Sequence, residues 1–154
     1  MTSETLPTGP DPEAITAAIV ARFPDAVVAR AMGATFFSLD ESHWPNFATI
    51  VTTDEHDEGE PSRLSRPGVF RLNIGVGKAT FERLVGDATD PDHSAFDTFV
   101  PHPVYGRQRW ISILNPTDET FRSRVLPLLD EGHERLARSR ARRGGAPHED
   151  GSPD

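Results

Sequence analysis

The sequence predicts an α+β domain, an antiparallel sheet backed by helices from the two ends of the chain. Three observations carry that class. Residues 69–76 alternate, with Phe70, Leu72, Ile74 and Val76 pointing one way and Val69, Arg71, Asn73 and Gly75 the other, the period of a strand with two unlike faces. Residues 109–114 repeat the pattern, Ile111 and Ile113 on one side and Trp110, Ser112 and Leu114 on the other. The β-rich runs, finally, lack the sustained strand–helix alternation of an open parallel sheet.

The elements follow in order. Asp11-Pro12-Glu13 opens a helix, since Asp caps free N–H groups, Pro fits the first helical position and Glu suits the positive end of the dipole. Ile15, Ala18, Ile19 and Phe23 form its apolar stripe, joined by the stem of Arg22, and Pro24 stops it. Residues 26–31 and 35–39 are β-rich and separated by Met32-Gly33-Ala34, a hairpin turn with Gly supplying the positive φ. His43-Trp44-Pro45-Asn46 is a loop, and 47–53, rich in threonine and β-branched aliphatics, is a strand. The acidic stretch 54–65 cannot bury itself and is expected to be a mobile loop. After strand 69–76, Gly77 opens a short helix over 78–85 that buries Phe81, Leu84 and Val85, with Gly86 at its C-terminal boundary. Residues 87–94 read as loop and 95–100 as one helical turn. Following strand 109–114, Asn115 or Thr117 caps a final helix whose apolar stripe is Phe121, Val125, Leu128, Leu129 and Leu136. Pro127 lies inside that helix, so it must kink or restart there.

At 154 residues the chain is one domain's worth. The folded part is expected over 11–142, between disordered tails at 1–10 and 143–154, where no apolar period survives. With no cysteine there is no disulfide, thiolate metal site or thiol nucleophile. No leader-like segment opens the chain and no apolar run is long enough to span a bilayer, so a cytoplasmic location and no membrane partner are expected. The net charge of −8 disfavours a nucleic-acid partner. A basic stretch, Arg135, Arg138, Arg140, Arg142 and Arg143, nevertheless stands against the acidic segments and keeps DNA binding open as an alternative.

Four stretches carry a likeness to a known family: Thr35-Phe36-Phe37, Phe47-Ala48-Thr49-Ile50-Val51-Thr52, the eleven residues from Arg66-Pro67-Gly68 through Ile74-Gly75-Val76, and Pro101-His102-Pro103-Val104-Tyr105-Gly106. They resemble a bacterial domain-of-unknown-function family, number 6194, over about residues 15–136. A weaker likeness rests on the basic turn leading into Trp110-Ile111-Ser112-Ile113 and on a final helix with Leu128, Leu129 and His133. It points to the MmcQ/YjbR-like proteins, with their frataxin-like (CyaY-like) α+β fold. That resemblance implies an antiparallel sheet backed by the first and last helices, with DNA binding by analogy, and supplies no catalytic residues.

The candidate ligand-binding set is Arg71, Asn73, His102, Tyr105, Arg107, Arg109 and Trp110. If the last two alternating strands are neighbours, guanidinium forks, an amide and an imidazole would converge on an anion or planar ring, with Tyr105 or Trp110 as a stacking surface. The competing account makes the same residues a structural polar network and a strand-entering turn. No catalytic string is present, neither a Gly-x-Ser-x-Gly elbow nor a phosphate loop, and Gly75-Val76-Gly77 lacks the third glycine of a dinucleotide fingerprint. No cofactor is expected. His43, His93, His102, His133 and His148 show no i, i+4 pair, and the acidic run does not match a calcium loop, so no metal is expected. The leading expectation is thus a non-enzymatic module that binds a small molecule or a protein. DNA binding is the alternative, and a small enzyme with His102 as general base is third.

Overall fold

The computed structural model describes residues 5–87 and 89–145. It shows the α+β class: a six-stranded antiparallel sheet, with the helices on one face. In chain order the elements are α1 (Pro12–Arg22), β1 (Val27–Ala31), β2 (Ala34–Ser38), β3 (Asn46–Val51), β4 (Arg71–Gly75), α2 (Lys78–Val85), β5 (Phe99–Pro101), β6 (Trp110–Leu114), the short α3 (Asp118–Thr120), a π-helical turn (Phe121–Val125) and α4 (Leu126–Gly145). The strands lie in the order β1-β2-β3-β4-β6-β5. The tail expected over 143–154 lies outside the described residues from 146 onward, as do residues 1–4 of the tail expected over 1–10. Residues 5–10 run beside the start of the last helical stretch, where Asp118 donates its N–H to the Thr8 carbonyl (3.2 Å).

Asp11 caps α1 by accepting from the Ala14 N–H (2.8 Å), and Ile15 and Ile19 are wholly buried. The β1–β2 hairpin closes through Met32 and Gly33, at φ 50° and 74°, the doubly positive turn whose twist matches that of the strands. β4 is the centre of the sheet. Leu72 faces Ile50 on one side and Ile113 on the other; Ile74 faces Ala48 and Ile111. Together with Phe37, Phe70 and Val76 they form the floor on which Val125, Leu128, Leu129 and Leu136 of the C-terminal helix pack. Gly132 is the point of closest approach, for a Cβ there would lie 3.0 Å from the Gly75 carbonyl and 3.2 Å from that of Phe47.

Two expectations change and a third takes a specific form. Residues 95–100 do not form a helical turn, because 99–101 pair with β6 as an edge strand. At Pro127 the expected irregularity takes a specific form, a π-helical turn just ahead of it, and α-helix resumes at Leu126. The π-helical turn ahead of it pairs the Leu126 N–H with the Phe121 carbonyl, and the wider turn relieves the clash that a proline ring makes with the carbonyl four residues back. The second change concerns 54–65. Rather than standing off in solvent, this segment lies across the second face of the sheet, where Leu64 joins Ala34, Val51, Val69 and Leu114 in a smaller apolar cluster. Arg66 clips it in place, donating to the carbonyls of Ser62 (2.9 Å) and Ser94 (3.1 Å) while lying over the Phe96 ring.

Candidate functional site

The second face of the sheet carries the candidate residues, and β4 does pair with β6: Asn73 lies opposite Ser112 and Arg71 opposite Leu114. Strand alternation turns Arg71 and Asn73 away from the helices, and the segment 54–65 then covers them. Arg71 is 1% exposed. Its guanidinium grips Asp57 with two bonds, Nη1 to Oδ2 at 2.7 Å and Nη2 to Oδ1 at 3.0 Å. Nη1 also donates to the Ser62 hydroxyl (3.0 Å) and Nε to Asn73 Oδ1 (2.9 Å). Asn73 Oδ1 accepts a second bond from the Ser112 hydroxyl (2.7 Å), and its amide nitrogen donates to Thr49 Oγ1 (2.9 Å). The set is satisfied from within the protein, as buried charges and amides must be. Its guanidinium fork is filled by the protein's own carboxylate.

His102 is buried as well. Its Nδ1 accepts the backbone N–H groups of Val104 (2.9 Å) and Tyr105 (3.0 Å), which places the ring proton on Nε2. Burial, and then the positive charge of Arg71, push its pKa down to about 3, although the Asp57 carboxylate opposes them. An imidazole so weakly basic, with Nδ1 committed to holding a turn, is poorly suited to take a proton near neutrality. It acts as a turn cap, the task usually given to Asn or Asp.

That turn displays the remaining candidates. Val104 and Tyr105 are 41% and 52% exposed, with the Tyr105 ring tilted against that of His102. A short 3₁₀ turn (Gly106–Gln108) follows, and Arg109 sits at φ 67°, in the left-handed region. Arg107 and Arg109 are exposed. Trp110 is half-buried and lies across Gly75, where a Cβ would come within 3.1 Å of the indole. The seven candidates therefore divide in two. Arg71, Asn73 and His102 are interior, while Tyr105, Arg107, Arg109 and Trp110 surround one turn at the surface.

Asp57, Ser62, Thr49 and Ser112 belong to the buried set and were not among the sequence candidates. Thr49 and Ser112 become visible once the register of β4 is known. Asp57 carried no signal within its run of acids. Among the described residues no three His, Asp or Glu side chains gather closely enough to hold a metal ion, and no helix is long and apolar enough to cross a membrane. A hollow of about 250 Å³ lies away from these residues, between α2 and the C-terminal helix, lined by Arg83, Arg124 and Glu131. Both oxygens of Glu131 are already bonded, one to the Gly77 N–H and one to the Thr80 hydroxyl.

The depressed pKa has a thermodynamic consequence. In the unfolded chain His102 titrates at its ordinary value of 6.5, so between 6.5 and about 3 the unfolded state binds a proton that the folded state does not. Its stabilising contribution is complete above pH 6.5 and is lost as pH falls through that window, by up to about 1.4 kcal/mol per pH unit. His102→Asn, whose side-chain oxygen can cap the same N–H groups, should flatten that slope in urea unfolding measured from pH 7 to pH 4. An unaltered slope would show that His102 reaches water freely.

Residues 10–145 match a family described as a family of unknown function, DUF6194. No curated protein and no solved structure matches the chain.

Proposed function

From a chain that belongs to the DUF6194 family, with its buried polar groups committed to one another, we propose a non-enzymatic interaction module that contacts a protein partner through the turn at 103–110. The observation that carries this reading is the turn itself. Val104 and Tyr105 are exposed on the same turn as exposed Arg107 and Arg109, while His102 fixes the backbone beneath them. Tyrosine and arginine are the side chains that dominate binding at interfaces, and a turn held from inside loses little freedom on association. Two guanidinium groups beside an aromatic ring favour a partner segment that offers carboxylates and an apolar side chain. The cytoplasm, where such segments meet a cysteine-free chain, is the compartment this reading prefers.

Nucleic acid is the second reading, favoured by the same arginines and by the likeness to MmcQ/YjbR-like proteins, whose frataxin-like architecture the helix-backed antiparallel sheet supports. It is weaker because the basic α4 spends Arg138 on Glu134 and Arg140 on Asp40. The net charge of −8 adds repulsion from phosphate.

A displayed peptide library selected against the full chain tests the proposal. Enriched peptides should combine Asp or Glu with an aromatic or aliphatic residue. Their affinity should fall about tenfold or more, some 1.4 kcal/mol, in a Tyr105→Ser, Arg107→Ser, Arg109→Gly variant. Glycine at 109 accepts the positive φ without strain, so the variant keeps the fold. Peptides that bind the variant equally well, or binding confined to single-stranded DNA with a steep salt dependence, would overturn it.

A further inference from the structure

The two edges of the sheet are unlike. The β5 edge is three residues long and ends in Pro101, which has no N–H to offer, and such edges resist pairing. The β1 edge is five residues, Val27-Val28-Ala29-Arg30-Ala31, with no proline, glycine or bulge.

Its free hydrogen-bonding groups follow from the register. Thr52 donates its N–H to the Gly33 carbonyl (2.9 Å). Antiparallel pairs alternate between bonded and unbonded, so Thr35 also bonds toward β3, while Ala34, Phe36 and Ser38 bond toward β1. Their partners are Ala31, Ala29 and Val27. The N–H and C=O groups of Val28 and Arg30 therefore point outward, and among the described residues nothing accepts or donates to them.

We propose that this edge pairs with the β1 edge of a second copy of the chain, antiparallel about a two-fold axis through Ala29, making one continuous sheet. The occupant follows from geometry. With the axis at Ala29, Val28 of each copy faces Arg30 of the other, and all four outward groups on each side are used in four hydrogen bonds. Moving the axis to Arg30 sets two guanidinium side chains against each other. Moving it to Val28 faces Arg30 with Ala26, whose N–H is already given to the Phe23 carbonyl (2.9 Å). Small Ala29 meets its own copy on the face away from the helices and raises no steric barrier. The proline-ended β5 edge disfavours head-to-tail growth, leaving a closed dimer.

Sedimentation across a dilution series reads the outcome. The wild-type chain should pass from monomer to dimer mass with concentration. Ala29→Lys and Ala29→Glu each place like charges opposite one another, so each should weaken dimerisation several-fold. An equimolar mixture of the two should recover dimer mass. Ala31→Lys, which lies opposite Val27, should dimerise nearly as the wild type does. Folding of each variant is checked by its thermal transition. A wild-type chain that stays monomeric throughout, a dimer unchanged by either charge at 29, or folded Lys and Glu variants that do not recover dimer mass on mixing would overturn the proposal.

Discussion

Asp57→Ala should lower the unfolding free energy by about 3–5 kcal/mol, because it leaves the Arg71 guanidinium buried with no counter-charge. The pair is wholly enclosed, with side-chain exposures of 1% for Arg71 and 0% for Asp57. The attraction between the two charges offsets the cost of taking both out of water, and removing one keeps the cost while discarding the attraction. Replacing both, Asp57→Leu with Arg71→Met, should recover most of the loss, since an apolar pair of similar volume carries no desolvation cost. Asn73 and Ser62 would then lose one bond each from Arg71, which limits the recovery. Urea unfolding at pH 7 measures all three proteins, with an unchanged dependence on denaturant showing that the native state stays compact. A loss below about 1 kcal/mol for Asp57→Ala would place the pair in the range of solvated ion pairs and contradict the burial described.

Gly132→Leu should be comparably damaging for a different reason. An added Cβ meets two backbone carbonyls at 3.0 and 3.2 Å and Ile74 Cγ2 at 3.3 Å. None of the carbonyls can step aside without moving a strand. Alanine at an ordinary helical site gains up to about 1 kcal/mol over glycine. Here that gain competes with overpacking worth about 1–3 kcal/mol, so Gly132→Ala should be destabilising on balance. Leucine adds three more carbon atoms to the same gap and should lift α4 from the sheet, losing much of the contact made by Leu128, Leu129 and Leu136. Thermal unfolding of both variants checks the order. A Gly132→Ala protein more stable than wild type would mean that the helix has room to withdraw.

Much of the fold was legible because alternation is a local signal. The split of Phe70, Leu72 and Ile74 from Arg71 and Asn73 needs only period two, and the caps at Asp11 and Thr117 need only the residue types there. What escaped depends on contacts distant in sequence. Residues 99–101 are too few to show a strand period and become one by lying beside β6. The segment 54–65 reads as hydrated because six of its residues are acids or histidine. Only the position of Arg71 beneath it selects Asp57 as the one that turns inward. Pro127 signals an irregularity in the helix, but no composition marks that it takes the form of a π-helical turn over 121–125. For the candidate site, the residue types were found but not their division, since burial separates His102 from Tyr105 although three positions apart in sequence.

The sheet is sealed on its two sides by different means. Helices hold one side through aliphatic and aromatic side chains, a bond that water does not readily penetrate. Irregular chain holds the other through Arg66, Asp57 and Leu64, and lifting that chain uncovers a charge that water will solvate at once. Local opening should therefore begin on the loop side, seen as faster amide exchange in 54–65 than in the helices of the greasy half.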